Sequence, residues 1–547
     1  MRTAPPLVLM TLAATAFGGP STQRLHLSDE QNPVFGSDPP ELVFAISEIA
    51  EDGSVFFSVG QEDDTIGHES LWRWRDGAFT AVFDRQTRVQ GLSPDAFLDR
   101  PYGFSVSDSG AYTFEASIRY DNGDANGRPG IGIFSFADGE ITPIAVEGDT
   151  APGTNGGTFW RWGYFPHATT DSMGSIFWAG VDHPTGVEQI GATGLWRSDD
   201  RGLSLIAGTG QTAPGIDGAV ITHVGTVTEP NRFGEMAMTI TYGTPGGDDG
   251  FGVWMSDDDG LTPVSFTGVA APGLDGATVA YAYGGAINST GTMLYKVELN
   301  DYDVPAASGI ILPEALYVYD DGTSRLIAAT GSVAPGTGGA RFDLLSSSLL
   351  SRETMNDRGD ILMAATLITG DTRADETNDS GVWIDRGDGL ELFLREGDAV
   401  PGDESSTFDT LRSFHMNNAG DIVFTGSTDP SNSFSSGLWA YLADEQRFET
   451  IVSIGDLFDV SVAQDGSDLR TVSYIQDGYQ KLVLNDNRQL LFELWFTDGT
   501  NGTFVTTIPA PGAIAVFAGA ALLITRSRGD RGRPRPARTG ARSRGGA

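Results

Sequence analysis

An all-β fold assembled from repeated four-stranded units is what this sequence predicts, on three observations. Glycine is abundant, 72 of 547 residues, beside ten Trp, thirty Phe and fourteen Tyr, a composition of many short strands joined by tight turns. A polar turn ending in glycine and followed by an apolar strand recurs every 57 to 68 residues. A short strand ending in an aromatic residue recurs in step with it. Periods of this length mark arrays in which one supersecondary unit repeats.

The polar turn comes first in each unit. It reads Glu51-Asp52-Gly53, Ser107-Asp108-Ser109-Gly110, and most clearly Asn288-Ser289-Thr290-Gly291, Asn356-Asp357-Arg358-Gly359 and Asn417-Asn418-Ala419-Gly420, with further copies ending at Gly174 and Gly234. An eighth copy, Asn485-Asp486-Asn487-Arg488, lacks its glycine. That glycine supplies a positive φ at a hairpin. An apolar strand follows, then a long polar loop, then the aromatic strand: Leu71-Trp72, Ile133-Phe134, Leu195-Trp196, Val253-Trp254, Leu316-Tyr317, Val382-Trp383 and Leu438-Trp439. These aromatic residues are expected to pack between units. Asp76-Gly77, Asp138-Gly139 and Asp321-Gly322 then turn the chain into a fourth strand, as Asp-Gly between apolar runs does in hairpins. Several units close on a Pro-Gly loop, as at Gly148 to Gly153 and Gly331 to Gly336.

Four antiparallel strands per unit of about this length are the blades of a β-propeller. Eight turns predict eight blades, and seven is the alternative if one weak unit fails to form. The last unit, residues 484–508, holds only three strands. The missing one is expected to be Arg24-Leu25-His26-Leu27-Ser28, because Gln31 to Gly36 mimics a Pro-Gly loop. The N-terminal strand then closes the ring of a propeller domain spanning residues 24–508.

Two end segments flank this body. Arg2 precedes an apolar run from Leu7 to Phe17 and then Gly18-Gly19, the pattern of a signal peptide over residues 1–19. At the other end an apolar stretch over residues 508–525 is just long enough to span a bilayer, and eight Arg follow it between Arg526 and Arg544. The positive-inside rule puts that block in the cytoplasm and the body outside. Pro509-Ala510-Pro511, the apolar segment and the Arg cluster together resemble the PEP-CTERM tail of exosortase-sorted bacterial surface proteins, here without a central Glu and with a longer basic end. The resemblance covers residues 509–547. It implies a sorting transpeptidase as partner, cleavage close to Pro509, and location at the cell surface or in the secreted fraction. An uncut membrane anchor is the alternative.

Composition narrows the chemistry. There is no Cys, so disulfides, thiolate metal sites and Cys nucleophiles are excluded. The formal charge is −39. Setting aside Arg2, the eight tail Arg and Asp530 leaves 25 basic and 72 acidic residues, about −47 for the body. Such a surface repels nucleic acid and anionic lipid. The long loops between second and third strands are rich in Asp, Asn and Gly: Asp121 to Gly127, Gly247 to Gly250, Asn300 to Asp303 and Asp371 to Asp379. Within the first of these, Asp121, Asp124 and Asn126 supply the oxygen ligands that a calcium ion takes. Ser198 to Ser204 and Ser256 to Thr262 look like the Asp-box turn of sialidase-type propellers, without its Trp. The irregular stretch Trp160 to His167 enters a first strand and is expected to pack in the core. No nucleophile, phosphate-loop or metalloprotease motif appears.

The sequence therefore predicts a secreted, surface-sorted, non-enzymatic propeller acting in cell-envelope or extracellular-matrix interaction, with extracellular polysaccharide or envelope proteins as partners and calcium as the candidate ion. The alternative is a secreted propeller enzyme of sialidase or glycosidase type acting on polysaccharide.

Overall fold

Each repeat folds as four antiparallel strands in chain order, as its turns require. A computed structural model describes residues 22–27, 42–61, 68–106, 112–120, 130–137, 139–162, 168–170, 174–182, 192–228, 230–257, 260–302, 304, 312–345, 354–370, 373–430, 434–461, 468–476 and 482–508. Seven blades occupy residues 42–83, 96–146, 158–208, 220–266, 278–329, 342–395 and 410–453. In the eighth, Leu469–Ile475 and Val483–Leu484 both pair with Gln489–Phe496, and Asn501–Thr507 follows. The outer strand is Thr22–Leu27, antiparallel to Asn501–Thr507 with Thr22 opposite Thr506. The N-terminal strand thus completes the last blade, starting two residues earlier than the sequence suggested. Its Leu25 is buried with Ile49, Val55 and Trp74 of blade 1 and Leu491 and Val505 of blade 8, so one side chain ties the two ends of the ring together.

The core lies between blades. Phe83 of blade 1 stacks on Phe114 of blade 2 at 5.1 Å. Trp196, Trp254, Trp383 and Trp439, one on the third strand of each of four blades, are fully buried. The expected packing of these aromatics holds, and the structure adds its mechanism. In seven blades the ladder between third and fourth strands slips one register just before the aromatic residue, a bulge that turns the ring back along its own strand. The ring then lies over the residue two positions earlier. A Cβ at Gly194 would meet the Trp196 ring at 2.5 Å, and one at Gly381 would meet the Trp383 ring at 2.9 Å. This is the physical reason for the Gly-apolar-Trp pattern. Blade 5 carries the smaller Tyr317 and tolerates Ala315 there. The indole N–H of Trp196, Trp254 and Trp383 donates to the carbonyl of Pro152, Pro214 and Pro335, each in the Pro-Gly loop that leads into the same blade. The Tyr317 hydroxyl donates likewise to Pro272.

The polar turns between first and second strands join the ring on its inner side. Asn356 Oδ1 accepts the N–H groups of Arg358 and Asp360, while its Nδ2 donates to Asp360 Oδ2 at 2.9 Å and to the Asn417 carbonyl of the next blade at 3.4 Å. The same donation runs from Asn231 to Asn288, Asn288 to Asn356, Asn417 to Asn485, and Asn485 to the Ala50 carbonyl of blade 1. Consecutive blades approach this closely only where they converge. The first strands therefore line the axis, and the fourth strands form the rim. In the eighth turn Arg488 replaces glycine at φ 59° and pairs with Asp421 of blade 7 at 2.7 Å and with Asp444 at 2.8 Å. Among the described residues no helix is long and apolar enough to cross a membrane; the apolar segment that follows residue 508 lies outside them.

Candidate functional site

The sequence pointed to the loops between second and third strands. Asp121, Asp124 and Asn126 lie outside the described residues, as do Asp303 and Asp371. Asp248 and Asp249 are exposed at a tight turn of blade 4, and Asp301 is exposed in blade 5. Among the described residues no group of three or more His, Asp or Glu side chains could hold a metal ion. The structure brings a different set of residues together, on the axial strands.

Register irregularities interrupt the pairing of every first strand with its second strand. A bulge turns a side chain out of the alternation that would otherwise bury it. In blade 2 the slip between Pro101 and Gly103 leaves Tyr102 44% exposed. In blade 3 the slip between Phe159 and Arg161 keeps Phe159 in the core and leaves Trp160 44% exposed. This corrects the expectation of core packing for Trp160; residues 163–167 lie outside the described residues. In blade 5 the slip between Val279 and Tyr281 leaves Tyr281 36% exposed against Phe251 of blade 4, with ring centroids 5.1 Å apart.

Beside Tyr281 lies a polar network on one face of blade 5. Tyr281 stands opposite Glu298, Tyr283 opposite Lys296, and Glu298 opposite Glu314, so all five side chains share that face. Tyr283 donates its hydroxyl to Glu298 Oε1 at 3.0 Å. Lys296 Nζ donates to Glu314 Oε1 at 2.7 Å, both side chains nearly buried. Glu314 Oε2 accepts the N–H of Leu345, which carries the network to the axial strand of blade 6. Burial first, then the bond to Glu298 and the charge of that carboxylate, push the Tyr283 phenol well above its usual range. Tyr283 therefore remains a proton donor at neutral pH. The arrangement offers an aromatic face, a phenol and a carboxylate to a polyhydroxylated ligand. One sequence signal marks it: Lys296 is one of only two lysines in the chain.

A second titratable group lies at the loop end of blade 6. Glu396 is buried and accepts bonds from the N–H and the hydroxyl of Ser380 at 3.2 and 3.1 Å. Burial pushes its carboxyl up to about 7, against those two bonds and with help from the neighbouring Asp379 carboxylate.

A family of unknown function (DUF7453) matches residues 49–515, which takes in all eight polar turns. The chain belongs to that family. Among curated proteins none matches this DUF7453 chain. Among solved structures it is similar to the β-propeller domain of the Trilobed protease from Pyrococcus furiosus (9% identity, 75% of this chain and 95% of that one, TM-score 0.35). It is similar also to the Dos1 propeller (9%, 84% and 92%, 0.37) and to the polysaccharide lyase Uly1 (12%, 74% and 95%, 0.34). At these scores the likenesses bear on neither activity nor ligand.

Proposed function

We propose that this DUF7453 protein is a non-enzymatic binding propeller, exported and displayed at the cell surface, that holds an extracellular polysaccharide against its axial strands. The observation that carries the reading is the set of aromatic side chains, Tyr102, Trp160 and Tyr281, that first-strand bulges hold in solvent. Large aromatics left exposed on rigid strands offer apolar faces for the C–H faces of sugar rings. The neighbouring Tyr283–Glu298 pair supplies the few placed polar groups that such a site needs for orientation. Export and display rest on the signal peptide and the C-terminal tail read from the sequence. The acidic surface argues in the same direction, since it disfavours nucleic acid and anionic lipid as partners. A glycan array probed with the purified protein and with a Trp160→Ala/Tyr281→Ala variant tests the reading. Binding by the first that the second loses is expected; equal signals from both would remove the axial strands from the account.

A second reading, an enzyme acting on polysaccharide, is favoured by one observation. A phenol bonded to a carboxylate at 3.0 Å is a proton-transfer pair. If it were catalytic, Glu298→Gln would retain glycan binding and abolish product formation from a bound glycan. The binding reading expects no product from either protein.

A further inference from the structure

Blade 7 departs from its neighbours on the axial strand Thr410–Met416. Arg412 is half-buried there, and among the described residues its guanidinium has no hydrogen-bond or ion-pair partner. That is a costly arrangement in a chain with 73 acidic residues, because a partly desolvated charge is normally matched. Most other described arginines are matched: Arg358, Arg447, Arg470 and Arg488 all pair with carboxylates.

Two further observations lie at the same place. Ser413 has φ 45° and is, among the described residues, the one non-glycine with positive φ inside a strand. Strain of this kind persists where the surrounding structure holds a side chain to a task. Here the ladder slips between Arg412 and His415, and Phe414 is carried onto Phe424 at 5.3 Å. The second observation is a pair of orphan hydroxyls. Thr410 Oγ1 and Thr425 Oγ1 are buried without a partner, and Thr425 is 0% exposed. Thr425 stands directly opposite Arg412, and Thr410 two residues before it, so the three side chains share one face of the sheet. Ile422, Phe424 and Trp439 pack on the opposite face against Leu362, Val382 and Ile384 of blade 6, which turns the Arg412 face toward blade 8.

We propose that Arg412, a local positive charge on an otherwise acidic surface, is the anchor for a carboxylate carried by the ligand, so that the polysaccharide held on the axial strands contains uronic acid at the sugar that meets Arg412. The proposal rests on the reading of those strands as the binding face. A guanidinium keeps its charge at every physiological pH and presents a planar fork of donors that matches a carboxylate in two parallel bonds. Thr410 and Thr425 put hydroxyl groups rather than apolar side chains on the same face beside it. An extended polymer reaching from Tyr281 on blade 5 to Arg412 on blade 7 would stack on the first and be held by charge at the second.

The test is calorimetric titration of the full chain with trigalacturonate, with its carboxyl-reduced neutral trisaccharide, and with a sulfated neutral trisaccharide. The proteins are wild type, Arg412→Ala, Arg412→Lys and Tyr281→Ala, each first shown to melt as wild type does. Wild type is expected to prefer the uronate over the neutral sugar by about tenfold or more. Arg412→Ala should erase that preference, and Arg412→Lys should restore part of it, since a point charge lacks the fork. A sulfated sugar that binds as tightly as the uronate would overturn the assignment to a carboxylate. Equal wild-type affinity for uronate and neutral sugar, both lost in Tyr281→Ala, would overturn the role of Arg412 and leave the axial site standing. No binding of any of the three to wild type would remove both.

Discussion

Asn356 shows how one side chain both shapes its own turn and joins two blades. Its amide fills all four of its bonding positions: two backbone N–H groups to Oδ1, one carboxylate and one carbonyl from Nδ2. Asn356→Ala leaves those buried groups unpaired and should cost about 2–4 kcal/mol in a denaturant titration. Asn356→Asp keeps the acceptor but loses the inter-blade donor and faces Asp360, so it should not rescue. A loss below about 0.5 kcal/mol would show that the turns do not carry ring closure. Glu396 makes a prediction of different sign. Its carboxyl binds a proton up to about pH 7 in the folded protein and only to about pH 4.5 when unfolded. Between those values the native state holds more protons, so stability falls as pH rises through that window. Glu396→Gln should remove that component, giving a melting temperature that changes less from pH 5 to 7.5 than that of wild type. An unchanged slope would mean that Glu396 titrates normally.

At the scale of the strand, the repeat works because one aromatic residue does two jobs. The indole fills the gap between blades and ties the Pro-Gly connector to the blade it introduces. Blade 7 supplies a built-in comparison. Trp383 donates to Pro335 at 2.9 Å, whereas the Trp439 indole nitrogen is buried without a partner and Thr450 makes the bond to Pro401 instead. Trp383→Phe and Trp439→Phe remove similar volume, but only the first leaves a carbonyl unsatisfied. Trp383→Phe should therefore be the more destabilising by about 1–2 kcal/mol in chemical denaturation, and equal losses would mean that the indole bond is worth nothing net. Much at this scale was legible in the sequence. Gly53, Gly174, Gly234, Gly291, Gly359 and Gly420 have positive φ as read, and the strand missing from the last unit was found by counting. What escaped were features that leave no compositional trace. A bulge changes which way Trp160 points without changing a residue, so a first-strand aromatic was read as core. The Asn residues were visible as the clearest turn copies, yet their reach to the next blade depends on ring geometry that no single repeat contains.

For the molecule as a whole, closure is made twice. Thr22–Leu27 seals the rim of blade 8, and Asn485 bonds Ala50 at the hub. A ring fixed at both radii is a rigid platform, and a ligand site built on strands of such a platform holds its groups in place without a closing loop. The acidic loops drew attention in the sequence because charge is easy to count. The axial residues did not, because Tyr281, Lys296 and Arg412 sit inside runs that read as ordinary strands. Lys296 was open to notice as a rare lysine; that it shares a face with Tyr281, Tyr283, Glu298 and Glu314 follows only from the register of three strands. The central claim is that ligand is bound on the axial strands, and amide hydrogen exchange tests it without altering a residue. The full chain is compared with and without the glycan that gives the strongest array signal. Slowed exchange is predicted at the bulges of Ala96–Val106, Thr158–Trp162, Thr278–Ile287 and Thr410–Met416, with rim strands such as Thr323–Ala329 unchanged. Protection confined to the rim strands, or to the polar turns, would contradict it.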